Sequence, residues 1–387
     1  MTAEKKQILT VKNIRNVNME NILHSILQNQ NVTRSTLAKE NQISLMTVKH
    51  VVDDLIHAKI VVEKESLGGE VGRKPKVLEL SAQYGNIVCI NLTSKDEIQF
   101  LIYDIYRNLQ AKQTLSSKGE AYLKSLKSAV NIIKKRLMEL SKDLVGVAVF
   151  VPSAYDESKD LVNYDLVPGF KKLRIKSLLT KEFNIKNILV FHDVFAAARA
   201  EYDSEVPKID SQFYFYCGYG VGGYFIHQDV AVSGAERMAG EVGKMLVSME
   251  GKDSDYQTLE EVASVLAVEE YIRACGEKSS FSEILQQYRK GKKKAVQILQ
   301  PVLDTISKVL YNLLWVYNPS RIVVDSCERE YCELIAEHFA SFMEKMRNEA
   351  IPIHVEVRTA KYDEYHMMRG CFQITRNAWI EEIADSV

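Results

Sequence analysis

Apolar residues at Met19, Ile22, Leu23, Ile26 and Leu27 fall on one helical face, and the pattern predicts an amphipathic helix over 18–28. Thr33 can cap a short second helix carrying Leu37 and Ala38. Ser44 can cap a third, with Val48, Val51, Val52, Leu55 and Ile56 as its buried stripe. Three short helices with tight turns, the third strongly two-faced, predict a helix-turn-helix. A plain helical bundle for protein contact is the blander reading of the same pattern. Strand-like runs at 60–64 and 77–80 then flank Ser66 to Lys76, which predicts a two-stranded wing.

From Ser81 the period changes. Strands are predicted at 87–92 and 98–103, a helix at 121–141 and a buried strand at 144–151, an order that opens an α/β domain. A strand at 188–191 ends at His192-Asp193 and precedes the small helical face Ala196, Ala197, Ala198 and Ala200. Apolar runs at 213–217 and 224–226 read as a hairpin around Gly218 to Gly223. A helix at 295–317, a strand at 322–324, a helix at 328–346, a strand at 353–357 and a terminal helix suggest a second α/β lobe.

Chemistry sharpens the first part of this picture. The exposed face of the third helix would present Leu45, Met46, Thr47, Lys49 and His50 near its N-terminal end, where base edges are read in a major groove. Arg34 and Ser35 open the second helix and are placed to touch phosphate. Gly72-Arg73-Lys74-Pro75 puts two cations on the wing tip, a composition suited to a narrow minor groove. Residues 1–80 carry 12 Lys and Arg against nine Asp and Glu, and the remainder carries 38 against 42, which splits the net charge of −1 into +3 and −4. A small basic segment on a mildly acidic body fits a nucleic-acid module joined to a partner-binding module.

A length of 387 residues predicts two or three domains, and 46% hydrophobic with 26% charged residues is the composition of a soluble globular protein. No window approaches about eighteen uninterrupted apolar residues, and MTAEKKQILTVKN has no apolar signal region, so a cytoplasmic protein without a membrane partner is expected. The six cysteines are scattered, with no CxxC pair and no His at metal-ligand spacing, and read as reduced core residues; no metal or cofactor is expected.

Seven of the eighteen glycines lie between Phe213 and Leu246, interleaved with Glu236, Arg237, Glu241 and Lys244. The hairpin is either an ordinary Gly-rich turn or one made to approach a ligand or another backbone closely. The order Gly218-Tyr219-Gly220-Val221-Gly222-Gly223, then Gly234, then Ala239-Gly240-Glu241-Val242-Gly243-Lys244 resembles the signature of the ROK family of repressors, sugar kinases and uncharacterised reading frames. Gly72-Arg73-Lys74-Pro75, His192-Asp193 and Thr258 to Ser264 match the same family. The resemblance implies an α/β chain with an N-terminal winged helix-turn-helix over 1–80, followed by an actin-like, ribonuclease H-like two-lobed sugar-kinase fold. Its first lobe would be 81–200 with the C-terminal helix at about 371–387, and its second 201–370.

What the resemblance implies for function is a transcriptional regulator, a repressor of carbohydrate genes, acting on a double-stranded DNA operator as a homodimer or homotetramer. A sugar or sugar-derivative effector would be held by Ser153, Gly169, His192, Asp193, Glu241, Lys244 and Glu260. In family kinases the position of Asp193 supplies the base for the sugar hydroxyl, whereas from its own residues Asp193 could equally be a helix cap. Three departures fall on the nucleotide side. Asn91 to Lys95 has no glycine where kinases carry a phosphate loop, Tyr219 replaces a Thr, and Asp325-Ser326 replaces Gly-Gly. No catalytic residues are therefore assigned. Lys244 stands where many members carry a zinc-held His; it either pairs simply with Glu241 or favours an anionic sugar. Two other readings stay open: an active ATP-dependent sugar kinase with a DNA-binding head, and a ligand-independent DNA-binding protein.

Overall fold

The computed structural model describes residues 11–29, 32–65, 76–118, 121–162, 167, 169–204, 209–235, 238–248, 256–346, 354–361 and 366–387. The predicted wing tip with Arg73 and Lys74 lies outside the described residues, as do Glu236 and Arg237. The described residues form two compact units, one from 1–153, 157–191 and 371–387, the other from 154–156 and 192–370.

The first unit begins with helices α1 (Val11–Gln28), α2 (Arg34–Glu40) and α3 (Leu45–His57). Local chemistry starts the last two: Thr33 Oγ1 accepts from the Thr36 N–H at 3.2 Å, and Ser44 Oγ from the Thr47 N–H at 3.0 Å. Met19, Ile22, Leu23, Leu37, Val48, Val52 and Leu55 are fully buried, while Ile56 is only half-buried. Strands β1 (Val61–Glu65) and β2 (Lys76–Leu80) pair antiparallel with Val61 opposite Leu80. The Leu78 N–H donates to the Val32 carbonyl at 2.8 Å, which fastens the ribbon to the turn before α2.

A meander of β3 (Tyr84–Asn91), β4 (Glu97–Asp104) and β5 (Leu109–Ser116) follows, then α4 (Tyr122–Leu140) and β6 (Asp143–Val151), which runs parallel to β3. Two-residue strands β7 (Tyr155–Asp156) and β8 (Leu161–Val162) lead to α5 (Ile175–Phe183) and β9 (Ile188–His192). The sheet order is β5-β4-β3-β6-β9. β5 was not anticipated, because its alternation of exposed and half-buried residues in LQAKQTLS carries no apolar stripe.

The second unit repeats that plan. After α6 (Asp193–Asp203) come the meander strands β10 (Ser211–Cys217), β11 (Val221–His227) and β12 (Val230–Ala231). The short pair β13 (Leu246–Val247) and β14 (Gln257–Thr258) precedes α7 (Leu259–Ala263), α8 (Val265–Ala274), α9 (Phe281–Arg289) and the long α10 (Lys293–Tyr317). Then β15 (Arg321–Asp325) pairs parallel to β10, and β16 (Glu356–Thr359), reached through α11 (Arg329–Lys345), pairs parallel to β15. The order is β12-β11-β10-β15-β16. Period-2 alternation on β10 sends Phe213, Phe215 and Cys217 into the core with α7 to α11, and Tyr214 and Tyr216 toward α6. The short helix α12 (His366–Gly370) packs on α6 so closely that a Cβ on Gly370 would stand 2.1 Å from the Ala196 carbonyl oxygen. Helix α13 (Phe372–Ser386) returns to the first unit.

Candidate ligand and nucleic-acid sites

The glycines of the 213–246 stretch serve backbone packing. The turn between β10 and β11 is only Gly218 to Gly220, closed by the Gly218 N–H donating to the Gly220 carbonyl at 2.9 Å, while Gly222 and Gly223 already belong to β11. A Cβ on Gly240 would meet the Gly223 carbonyl oxygen at 2.0 Å, and one on Gly243 the Val221 carbonyl oxygen at 2.3 Å. The segment after Met238 therefore lies on the backbone of β11, and the Gly223 N–H donates to the Gly240 carbonyl at 2.8 Å. Gly222 rests against Val194 of α6, at 3.5 Å from where its Cβ would be.

Around that support stand the ionisable groups. Lys244 closes a single 3-10 turn, Val242–Lys244, and its ammonium donates to Glu260 Oε1 at 2.8 Å. The other oxygen of Glu260 accepts the Val221 N–H at 3.1 Å. α7 holds Glu260 in place through a reciprocal cap between Thr258 and Glu261. The Lys244 ammonium, about half exposed, is thus paired with a carboxylate of its own unit. Glu241, half-buried, leads into the same turn.

Asp193 opens α6, and its Oδ1 accepts the Val194 N–H at 2.7 Å and lies 3.2 Å from His192 Nε2. Burial raises the Asp193 carboxyl above its ordinary value, against the pull of His192 and of the backbone amides. His192 at the end of β9, Asp193 at the start of α6, Glu241 and Lys244 at the turn before β13, and Glu260 on α7 all belong to the second unit. Ser153, buried at the end of β6, and Gly169, at φ +83° with nothing within 4 Å of its Cβ position, belong to the first.

Two of the positions that depart from the kinase pattern, Asp325 and Asn91, are hydrogen-bonded within their own units. The Tyr214 hydroxyl donates to the Asp325 carboxylate. Tyr216 folds back so far that a Cβ on Gly218 would meet its hydroxyl at 2.2 Å. Burial pushes both phenols well above their ordinary values, with the Asp325 charge adding at each. In the first unit Asn91 Oδ1 accepts both the Thr93 N–H at 3.0 Å and the Thr93 hydroxyl at 2.8 Å, so this loop spends a backbone donor on itself. Sequence reasoning singled out Tyr219 and Asp325 but missed Tyr214 and Tyr216, whose placement depends on strand alternation. Among the described residues, no group of three or more His, Cys, Asp and Glu is placed to hold a metal ion.

On α3 the buried and exposed faces separate cleanly. Leu45 and Met46 are 57% and 63% exposed, Lys49 and His50 are exposed, and Thr47 is half-buried with its hydroxyl 2.8 Å from that of Ser44. Ser35 is exposed, its hydroxyl 2.9 Å from that of Thr33. Arg34 does not point outward: its guanidinium lies 2.6 Å from Asp53 and 2.7 Å from Glu63. No helix among the described residues is long and apolar enough to cross a membrane.

The profile of the ROK family matches residues 87–378. The chain is 24% identical over 332 residues to the xylose repressor of Staphylococcus xylosus, covering 84% of each chain. Among solved structures it resembles a ROK family transcriptional regulator described as a homologue of the E. coli MLC protein, with a TM-score of 0.76 at 16% identity over 95% of this chain and 97% of that one. It also resembles the ROK hexokinase of Thermus thermophilus, with a TM-score of 0.63 at 17% identity, over 78% of this chain and all of that one.

Proposed function

The chain belongs to the ROK family, and from that premise we propose that it is a DNA-binding transcriptional repressor of carbohydrate genes whose operator affinity falls when a neutral sugar or sugar derivative binds the second unit. The observation that carries this reading is α3, whose Val48, Val51, Val52 and Leu55 are buried while Leu45, Met46, Lys49 and His50 stand exposed at its start. Leu45, Met46, Thr47, Lys49 and His50 face base edges, Ser35 touches phosphate, and Arg73 and Lys74 enter a minor groove. The protein acts in the cytoplasm as a homodimer or homotetramer on paired half-sites. Relatives named xylose repressors make D-xylose the first sugar to test.

The effector is held by His192, Asp193, Glu241 and Glu260 of the second unit, with Lys244 fixing Glu260. Paired carboxylates accept hydrogen bonds from adjacent hydroxyls, which suits a neutral polyol. A coupling of about 1–3 kcal/mol between sugar and DNA is enough for control. The Tyr214–Asp325 pair and the self-bonded Asn91 loop support a protein without kinase activity. The retained Asp193 favours the second reading, an ATP-dependent sugar kinase with a DNA-binding head.

The test is a thermal-shift series with D-xylose, D-glucose, N-acetylglucosamine, glucuronate, glucose 6-phosphate and ATP. A ligand at about a hundred times its Kd stabilises by about 2.7 kcal/mol. A shift with a neutral sugar and none with ATP is expected. An ATP shift together with sugar phosphorylation that Asp193→Asn abolishes establishes the kinase instead.

A further inference from the structure

Helix α3 carries two adjacent acids, Asp53 and Asp54, and each is held by an arginine from another helix. Arg34, the first residue of α2, places Nη1 2.6 Å from Asp53 Oδ1 and Nη2 2.7 Å from Glu63 Oε1 on β1. The same Nη1 reaches the Lys49 carbonyl at 3.4 Å. Lys76 of β2 takes the other oxygen of Glu63 at 3.0 Å. Arg15 of α1 reaches Asp54 at 2.8 Å and the Val387 carbonyl at 3.1 Å. The Arg34 side chain is only 24% exposed, against 59% and 64% for Lys64 and Lys76 on the ribbon.

We propose that Arg34 is a positioning residue for DNA recognition and not a phosphate contact: it fixes α3 against α2 and the ribbon by spanning Asp53 and Glu63, while Arg15 ties α1 to α3 at Asp54. The inference rests on reading α1 to β2 as the DNA-binding part. Its physical basis is the fork of the guanidinium, which bonds two carboxylates in one plane; a lysine ammonium is a point charge and cannot hold both in that geometry. A residue that merely neutralises phosphate has the opposite signature. There Lys serves nearly as well as Arg, and losing the charge lowers the slope of log K against log salt by about 0.9.

The full chain is titrated onto a fluorescent mixed-sequence duplex of about 24 base pairs between 50 and 300 mM KCl, with circular dichroism to verify folding. Arg34→Lys and Arg34→Gln are expected to weaken binding equally, by about tenfold, with a salt slope within about half a unit of the parent. Glu63→Ala, which removes the span but leaves Arg34 its charge, is expected to weaken binding about threefold although it removes a negative charge near DNA. Arg34→Lys binding within about twofold of the parent, with the slope falling by about 0.9 in Arg34→Gln, overturns the proposal; so does tighter binding by Glu63→Ala. A parent chain that binds no duplex at 50 mM KCl overturns the DNA-binding reading itself, a result distinct from the other two.

Discussion

Glu260 ties Lys244 to Val221: one carboxylate oxygen lies 2.8 Å from the ammonium and the other accepts the backbone N–H at 3.1 Å. The two bonds differ in weight. The ion pair is about half exposed on the lysine side and contributes at most about 1 kcal/mol. The bond to Val221 fixes the start of β11, beside Gly222 and α6. Glu260→Ala is expected to destabilise by about 1–2 kcal/mol and to abolish any sugar-induced thermal shift. Lys244→Ala should cost no more than about 1 kcal/mol and keep the shift for neutral sugars. Loss of the shift in Lys244→Ala alone would return the lysine to direct contact with the ligand.

Glu201 of α6 is fully buried, and Arg358 of β16 meets it at 2.6 Å while the Lys361 N–H donates to its other oxygen at 2.5 Å. Removing the arginine leaves a buried carboxylate with less compensation. Arg358→Ala is expected to cost about 2–3 kcal/mol, measured by urea denaturation. An effect below about 0.5 kcal/mol would mean that the carboxylate is satisfied without the arginine.

Two glycines with positive φ should respond differently to alanine. Gly240, at +95°, has the Gly223 carbonyl oxygen 2.0 Å from its Cβ position, so strain and collision add, and at least about 3 kcal/mol is expected. Gly169, at +83°, has nothing within 4 Å and should cost about 1 kcal/mol, from the backbone alone. Equal melting temperatures for the two variants would show that the segment after Met238 does not rest on β11.

Glu20 of α1 has its carboxyl raised by burial, then by the charges of Glu381 and Asp385 on α13. A raised carboxylate pKa in the folded state means the native protein binds the extra proton, so stability falls as pH rises through that value. Glu20→Gln is therefore expected to stabilise by about 0.5 kcal/mol at neutral pH, with the gain vanishing as pH falls through the raised value. A gain that does not change with pH would point to helix propensity instead.

How much of this could be read beforehand follows the range of the interactions. The caps at Thr33 and Ser44 and the stripe on α3 are local, and the residues three and four positions away announce them. The alternating tyrosines of β10 could have been assigned to one face by period, though not their partner Asp325, which is 111 residues away. Lys244 and Glu260 stand 16 residues apart, and only the folded turn before β13 brings them together. Arg34 reads as an exposed cation because a helix start beside Ser35 looks solvent-facing; Glu63, 29 residues on, is what turns it inward. The glycine signature was visible as glycine, but its use in seating one backbone on another is a property of the fold.

The most direct test of the whole account is the affinity of the full chain for a duplex selected from a random pool, measured by fluorescence anisotropy with and without D-xylose, D-glucose and N-acetylglucosamine. Nanomolar binding that one neutral sugar weakens by about five- to a hundred-and-fifty-fold is the predicted result, and Asp193→Asn should remove that response while leaving DNA binding intact. Affinity that no sugar changes, in a protein that transfers phosphate from ATP to a sugar, would contradict it.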